Sequence, residues 1–197
     1  MPHTRTDEIL PDHCAKDVVV LCCGNVLFGD DGFGPAVAER INRIFTVPDW
    51  AVVIDAGTGV RELLFDMVLS ERRPRWVVIV DAVDLRVHAV NAVDLPIGEE
   101  DALDLGREPG EVFEIPLDQI PRVQVSEFSI HQAPTSNLLQ ELQEVGDVRV
   151  VVIACQVTEI PGEMTEEMSP AMNAAVEQAA GMIADRFLQE PASAGAP

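Results

Sequence analysis

Positive charge is scarce in this chain: 13 Lys and Arg residues face 34 Asp and Glu over 197 positions, a formal charge of −21. Binding to phosphate backbones needs a basic footprint, and binding to anionic lipid needs a basic face, so neither nucleic acid nor a membrane surface is expected as a partner. Long apolar runs are missing as well. None approaches the ~20 residues that a membrane-crossing helix requires. The start, Met1 to Lys16, is polar and mixed in charge, without a basic stretch leading into an apolar one, so no secretory signal is expected. These absences together predict a cytoplasmic protein. The acidic excess itself reads as a solubilising surface, with a taste for basic partner surfaces as the sharper alternative.

Several chemical signatures are absent too. There is no C-x-x-C pair among Cys14, Cys22, Cys23 and Cys155, which argues against a structural zinc or a dithiol redox centre. Cys22 and Cys23 are neighbours in an apolar run, so on a strand they point to opposite faces. Free, at least partly buried thiols in a reducing compartment are the expectation. No G-x-S-x-G elbow occurs, and the glycines of Gly24 to Gly34 miss the G-x-G-x-x-G spacing and lack a phosphate-loop lysine. Nucleophilic-serine and nucleotide chemistry therefore have no foothold.

What is present is a core. Apolar residues make up 47% of the chain, enough for one well-filled domain and too little chain for two. Apolar strand-like runs at 17–23, 50–54, 75–80 and 148–154 alternate with helical spacing near 32–45, 63–68, 137–144 and 169–188. Ser136 is a plausible cap for the third of these helices, and Pro170 fits the first position of the last. Ala36, Val37, Ile41 and Ile44 should share one helical face, as should Val176, Ala179, Ile183 and Phe187. Residues 111–116 alternate as a half-exposed edge strand does, and the acidic stretch 98–110 reads as a surface excursion. The expected fold is α/β: a single-domain, twisted, mostly parallel sheet with helices on both faces. Its domain should span 17–188, with an N-terminal approach over 1–16 and a small, Pro-containing tail over 189–197.

In such a sheet, ligands sit beyond the C-terminal ends of the strands. The polar residues expected there are Asn25 with Asp30 and Asp31, Asp55 before the turn Ala56-Gly57-Thr58-Gly59, Asp81 with Asp84, and Gln156. His131 joins them from a loop between Phe128 and Pro134. The acids and the histidine have bland alternatives: Asp30 and Asp31 as caps of the helix that follows, Asp81 as the partner of a turn, His131 as a satisfied core or surface residue. Two carboxylates and an imidazole, if they converge, suit a divalent transition metal with open positions.

Four motifs appear in order: Gly24-Asn25-Val26-Leu27-Phe28-Gly29-Asp30-Asp31-Gly32-Phe33-Gly34, Asp55-Ala56-Gly57-Thr58-Gly59, Val80-Asp81-Ala82, and Ser129-Ile130-His131-Gln132. This series, from Val18 to about Leu188, resembles the hydrogenase maturation endopeptidases. The resemblance implies an endopeptidase that removes the C-terminal extension of a nickel-iron hydrogenase large-subunit precursor after nickel insertion. It places the metal-binding triad, also the catalytic set, on Asp31, Asp81 and His131. The first of these is often Glu in the family, so Asp31 is shorter by one methylene. Gly24, Asn25, Asp55, Gly57 and Thr58 correspond to a turn region bordering the substrate. The implied nickel arrives with the precursor, and another divalent metal could stand in for it. Ile153-Ala154-Cys155-Gln156 and the methionines between Glu163 and Met172 resemble, more narrowly, the branch that serves coenzyme F420-reducing hydrogenases.

The resemblance leaves the general base open: a carboxylate and a metal-activated water are both compatible. The same three ligands would also serve a checkpoint that binds the large subunit without cutting it. A small-molecule enzyme on a similar scaffold is a further alternative. Thiol chemistry by Cys22 or Cys23 with His131 would need an electropositive niche, which an apolar strand beside acids does not offer. An aspartic dyad of Asp31 and Asp81 would leave His131 idle.

Overall fold

A computed structural model describes residues 11–85, 107–117 and 134–189. Its centre is β1 (Val18–Cys23), all six residues of which are buried. An unbroken apolar run of this kind can only be accommodated by a strand covered on both faces. Parallel neighbours flank it: β2 (Ala51–Gly57), with Val18 opposite Ala51, and β3 (Trp76–Val83), with Val18 opposite Trp76. β5 (Arg149–Gln156) adds in parallel to β3, and the short β4 (Val112–Ile115) closes the edge antiparallel to β5. The resulting order is β2-β1-β3-β5-β4 in one sheet.

β4 behaves as its alternation predicts: Phe113 and Ile115 are buried while Glu114 is exposed and pairs with Arg186. One face of the sheet is covered by α1 (Phe33–Ile44) and α4 (Pro170–Phe187), through residues such as Phe33, Ile41, Ala179 and Ile183. The other is covered by α2 (Val60–Leu69) and α3 (Pro134–Gly146), through Leu64, Met67, Leu139 and Leu142. Right-handed crossovers demand this split. The chain steps from β1 outward to β2 by way of α1, then back past β1 to β3 by way of α2, and reversing direction places the second helix on the opposite face. Each fully buried Leu, Ile or Val side chain in these layers contributes about 1.5–3 kcal/mol relative to exposure.

Several sequence expectations are corrected. Asp81 does not follow its strand but lies inside it, because β3 continues beside β5 to Val83 after β1 has turned away. β2 likewise runs through Asp55 and Ala56 to Gly57, absorbing the start of the expected turn. α3 begins at Pro134, so Ser136 lies within the helix and is not its cap; a proline's fixed φ suits a first helical turn. Ile44 is 48% exposed, off the buried face carried by Val37 and Ile41. Ser169 does cap α4, accepting from the Met172 N–H at 3.4 Å. Of the acidic stretch 98–110, residues 98–106 lie outside the described residues. Among the described residues, no helix is long and apolar enough to cross a membrane.

A buried carboxylate pair at the mouth of the sheet

The direction of connection changes at β1: β2 lies on one side and β3 on the other, so the crevice of this topology opens above the C-terminal ends of β1 and β3. β1 leaves the sheet at Cys23, and Gly24 starts a loop that folds back through a 3₁₀ turn, Gly29–Gly32, into α1. Gly24 has φ +138°, and a Cβ there would stand 2.0 Å from the carbonyl oxygen of Asp31. Only glycine lets the loop close this tightly. The Asn25 N–H completes the closure, donating to both the backbone oxygen (3.1 Å) and Oδ2 (3.0 Å) of Asp31.

This closure aims Asp31, 6% exposed, toward β3, where Asp81 is fully buried. Asp81 Oδ1 accepts the Ala82 N–H at 2.9 Å. That bond favours the charged form, but two stronger influences oppose it. Burial first, and the Asp31 charge second, push the Asp81 carboxyl well above the usual carboxylate range. A buried acid whose charge is disfavoured by its surroundings and by a second acid marks a functional-site candidate. His131, the expected third member, lies outside the described residues. Among the described residues no group of three His, Cys, Asp or Glu is placed to hold a metal.

Asp30, one residue earlier, does something different. It is 3% exposed, and its carboxylate accepts the Ser169 N–H (2.7 Å), the Thr158 N–H (2.8 Å) and the Ser169 hydroxyl (3.1 Å). Neither aspartate caps α1, whose N-cap is Gly32 with no side-chain bond. Asp30 instead joins the end of β5 to the start of α4. Sequence reasoning separated the two acids only through the resemblance that put Asp31 in the triad, and it missed the anchoring role of Asp30. The available signal was the helix start at Ser169-Pro170, which needs a fixed entrance.

The other expected residues are also placed. Gly57, at φ +49°, accepts the Gly24 N–H (3.0 Å) and donates to Asp55 Oδ1 (3.0 Å), which brings Gly24, Asp55 and Gly57 together at the rim. Asp55 and Thr58 are exposed there, and Asn25 Oδ1 accepts the Leu27 N–H (3.1 Å) within the loop. Gln156 is fully buried and ties the ends of β3 and β5: its Nε2 donates to Asp84 Oδ1 and to the Val157 carbonyl (both 3.1 Å), while Oε1 accepts the Leu85 N–H (3.1 Å). Gln156 and Asp84 thus brace the crevice wall.

All four cysteines are free and buried. Burial raises Cys22 and Cys23 far above the ordinary thiol range, with nearby aspartates adding to it, and pushes Cys155 up to about 12. Burial likewise raises Cys14. Neutral thiols are poor nucleophiles, so cysteine-protease chemistry has no candidate here.

Comparison with known proteins decides between the remaining readings. The profile of the hydrogenase maturation protease family matches residues 100–186. A Methanocaldococcus jannaschii protein assigned to the hydrogenase maturation proteases is 33% identical over 174 residues, 85% of this chain and 97% of its own length. The chain belongs to the hydrogenase maturation proteases. It is accordingly a peptidase. The coenzyme F420 hydrogenase subunit delta of Methanothermobacter thermautotrophicus is 31% identical over 175 residues, 87% of this chain and 94% of that protein. Among solved structures, the hydrogenase-maturating endopeptidase HybD of Escherichia coli superposes with a TM-score of 0.59 at 20% identity, over 85% of this chain and 90% of that one, and so speaks to the fold. The maturation-protease fold is the one built here, and the resemblance noted in the sequence assigns Asp31 and Asp81 to its site.

Proposed function

We propose that this maturation protease removes the C-terminal extension of a nickel-iron hydrogenase large-subunit precursor once nickel is in place, and that it reads the nickel through Asp31, Asp81 and His131. The observation that supports this reading is the placement of two buried aspartates at the crevice, with burial first and the nearby Asp31 second disfavouring the charge of Asp81. A cation entering between them relieves both burial and repulsion, and two hard oxygen donors with an imidazole suit a divalent transition metal that keeps open positions. The donor chemistry therefore fits nickel delivered by the substrate.

A divalent ion held by Asp31, Asp81 and His131 would polarise a peptide carbonyl and acidify an adjacent water. The chain's own contribution is placement. Gly24 and the doubly engaged Asn25 N–H hold Asp31 at the crevice, and β3, paired to β5 past the end of β1, holds Asp81 opposite. Ligation takes the ionised form of Asp81, which burial and Asp31 disfavour, so a metal ion there would favour proton release from this residue. Asp55 and Thr58, exposed at the rim beside Gly24 and Gly57, stand where the substrate backbone would pass. The kinship with a coenzyme F420 hydrogenase subunit supports a precursor from that hydrogenase class.

The test is incubation with nickel-loaded and nickel-free forms of the host's large-subunit precursor, followed by intact mass. Loss of a short C-terminal peptide from the loaded form alone, abolished by His131→Ala, supports the reading. Binding of both forms without cleavage of either sinks it.

A further inference from the structure

Between the end of β5 and the start of α4, residues 158–169 form a segment without regular structure, apart from one bridge between Thr165 and Phe28. Loops of this length are usually functional or disordered. This one is pinned at three places. Asp30 binds both of its ends, through the N–H groups of Thr158 and Ser169. At its middle, Thr165 donates to the Leu27 carbonyl (2.8 Å) and accepts the Gly29 N–H (2.7 Å). Below, Gly29 packs so closely that a Cβ would lie 3.1 Å from the Glu167 carbonyl oxygen and 3.4 Å from Pro161.

The pinned segment nonetheless displays apolar side chains. Met164 is 68% exposed and Ile160 38%; across the rungs, Val26 is 53% and Leu27 37% exposed. They stand out on a protein with a formal charge of −21; Val26 and Leu27 lie on the loop that carries Asp31, and the segment bearing Ile160 and Met164 is bridged to that loop through Thr165. Around them Glu159, Glu163, Glu166 and Glu167 are exposed, and none of the four forms an ion pair with a cation among the described residues.

We infer that Val26, Leu27, Ile160 and Met164 form a preorganised docking lip for the precursor, gripping a segment whose apolar side chains are flanked by lysines or arginines. The inference rests on the proposed function for the identity of the partner. Continuity with the Asp31 loop delivers a docked chain to the crevice, and the glutamate rim selects for basic neighbours by charge complementarity. Because Asp30 and the Thr165 rungs already hold the surface in place, little ordering cost is left for binding, which is what makes a small apolar patch effective.

The measurement is twofold: KM and kcat for the nickel-loaded precursor, and the Kd of the same precursor by biolayer interferometry. The variants are the double substitution Leu27→Ser/Met164→Ser, the charge reversal Glu163→Lys/Glu166→Lys, and the control Leu69→Ser, a residue 78% exposed at the far end of α2. The first two are expected to raise KM and Kd by about 10-fold with kcat retained, equivalent to ~1.4 kcal/mol of binding. The charge reversal should also flatten the salt dependence of Kd. Leu69→Ser should change neither constant. Unchanged KM and Kd in both lip variants, or an equal loss in Leu69→Ser, overturns the lip. If wild type binds the precursor without cutting it, the protease reading falls and Kd alone judges the lip. Absence of binding by wild type overturns both.

Discussion

Asp30 and Asp31 are adjacent in sequence and almost equally buried, at 3% and 6% exposure, yet they sit in opposite electrostatic settings. Asp30 faces donors: two backbone N–H groups and a hydroxyl converge on its carboxylate from the far end of the fold. Asp31 faces another acid, and the cost appears as the raised pKa of Asp81. A carboxylate satisfied by donors fixes structure, because each charge-assisted bond loses value if the geometry moves. A carboxylate held near a like charge gains from a cation even when it also accepts a backbone N–H, as Asp31 does from Asn25 and Asp81 from Ala82. On the proposed function, the chain uses one side-chain type for an anchor and for a metal receptor, separated by a single peptide bond.

The largest expected effect comes from the receptor side. Asp81→Asn should lower precursor cleavage by on the order of 10³-fold or more, the equivalent of several kcal/mol of lost metal assistance, read from an intact-mass time course. The same variant should be no less stable than wild type, since it removes a group whose charged form burial and Asp31 disfavour while leaving an oxygen to accept the Ala82 N–H. A large drop in both activity and stability would mean that Asp81 belongs with the anchors.

On the anchor side, Asp30→Ala strands the N–H groups of Thr158 and Ser169 and should destabilise the fold by about 2–4 kcal/mol, seen as a lower urea midpoint. Asp30→Asn keeps one acceptor and should cost less, about 1–2 kcal/mol. An Asp30→Ala protein of wild-type stability would dissolve the contrast.

A smaller effect separates the two settings by pH. The folded pKa of Asp81 lies above the ordinary 3.8. Its contribution to stability is therefore fully present below 3.8 and is lost as pH rises through the raised folded value, because the folded state holds the proton more tightly than the unfolded one. Urea midpoints measured across that window should fall less steeply in Asp81→Asn than in wild type. An identical slope would place the titration elsewhere.

The smallest effect is expected of the thiols. With all four buried, the native protein should resist a thiol reagent that modifies all four after unfolding, and Cys22→Ser should still cleave the precursor. Rapid labelling of Cys22 or Cys23 in the native state would contradict their burial.

Much of this arrangement was legible in the residues. The apolar runs in β1, β3 and β5 announce strands covered on both faces, and the alternation of Phe113, Glu114 and Ile115 announces an edge, because side-chain period records which faces are dry. Less legible were the ends of elements. Asp81 was expected beyond its strand, yet β3 runs on to Val83 because β5 continues to pair with it, and a strand ends where its partner does. The start of α3 at Pro134 was missed for a related reason: a serine is only one of several ways to open a helix, and a proline in the first turn is another.

The sequence by itself determined the layered α/β class, the family, and the short list of polar residues that a crevice could use, because period, motif order and the scarcity of bases are local properties. Motif resemblance already singled out Asp31 for the site; only the tertiary structure showed that Asp30 is an anchor and that Asp31 lies against Asp81. That division depends on what arrives from residues 158–169 and from β3, more than a hundred and about fifty positions away, respectively. A carboxylate's role is set by the donors and charges around it, and those are brought together only by the fold.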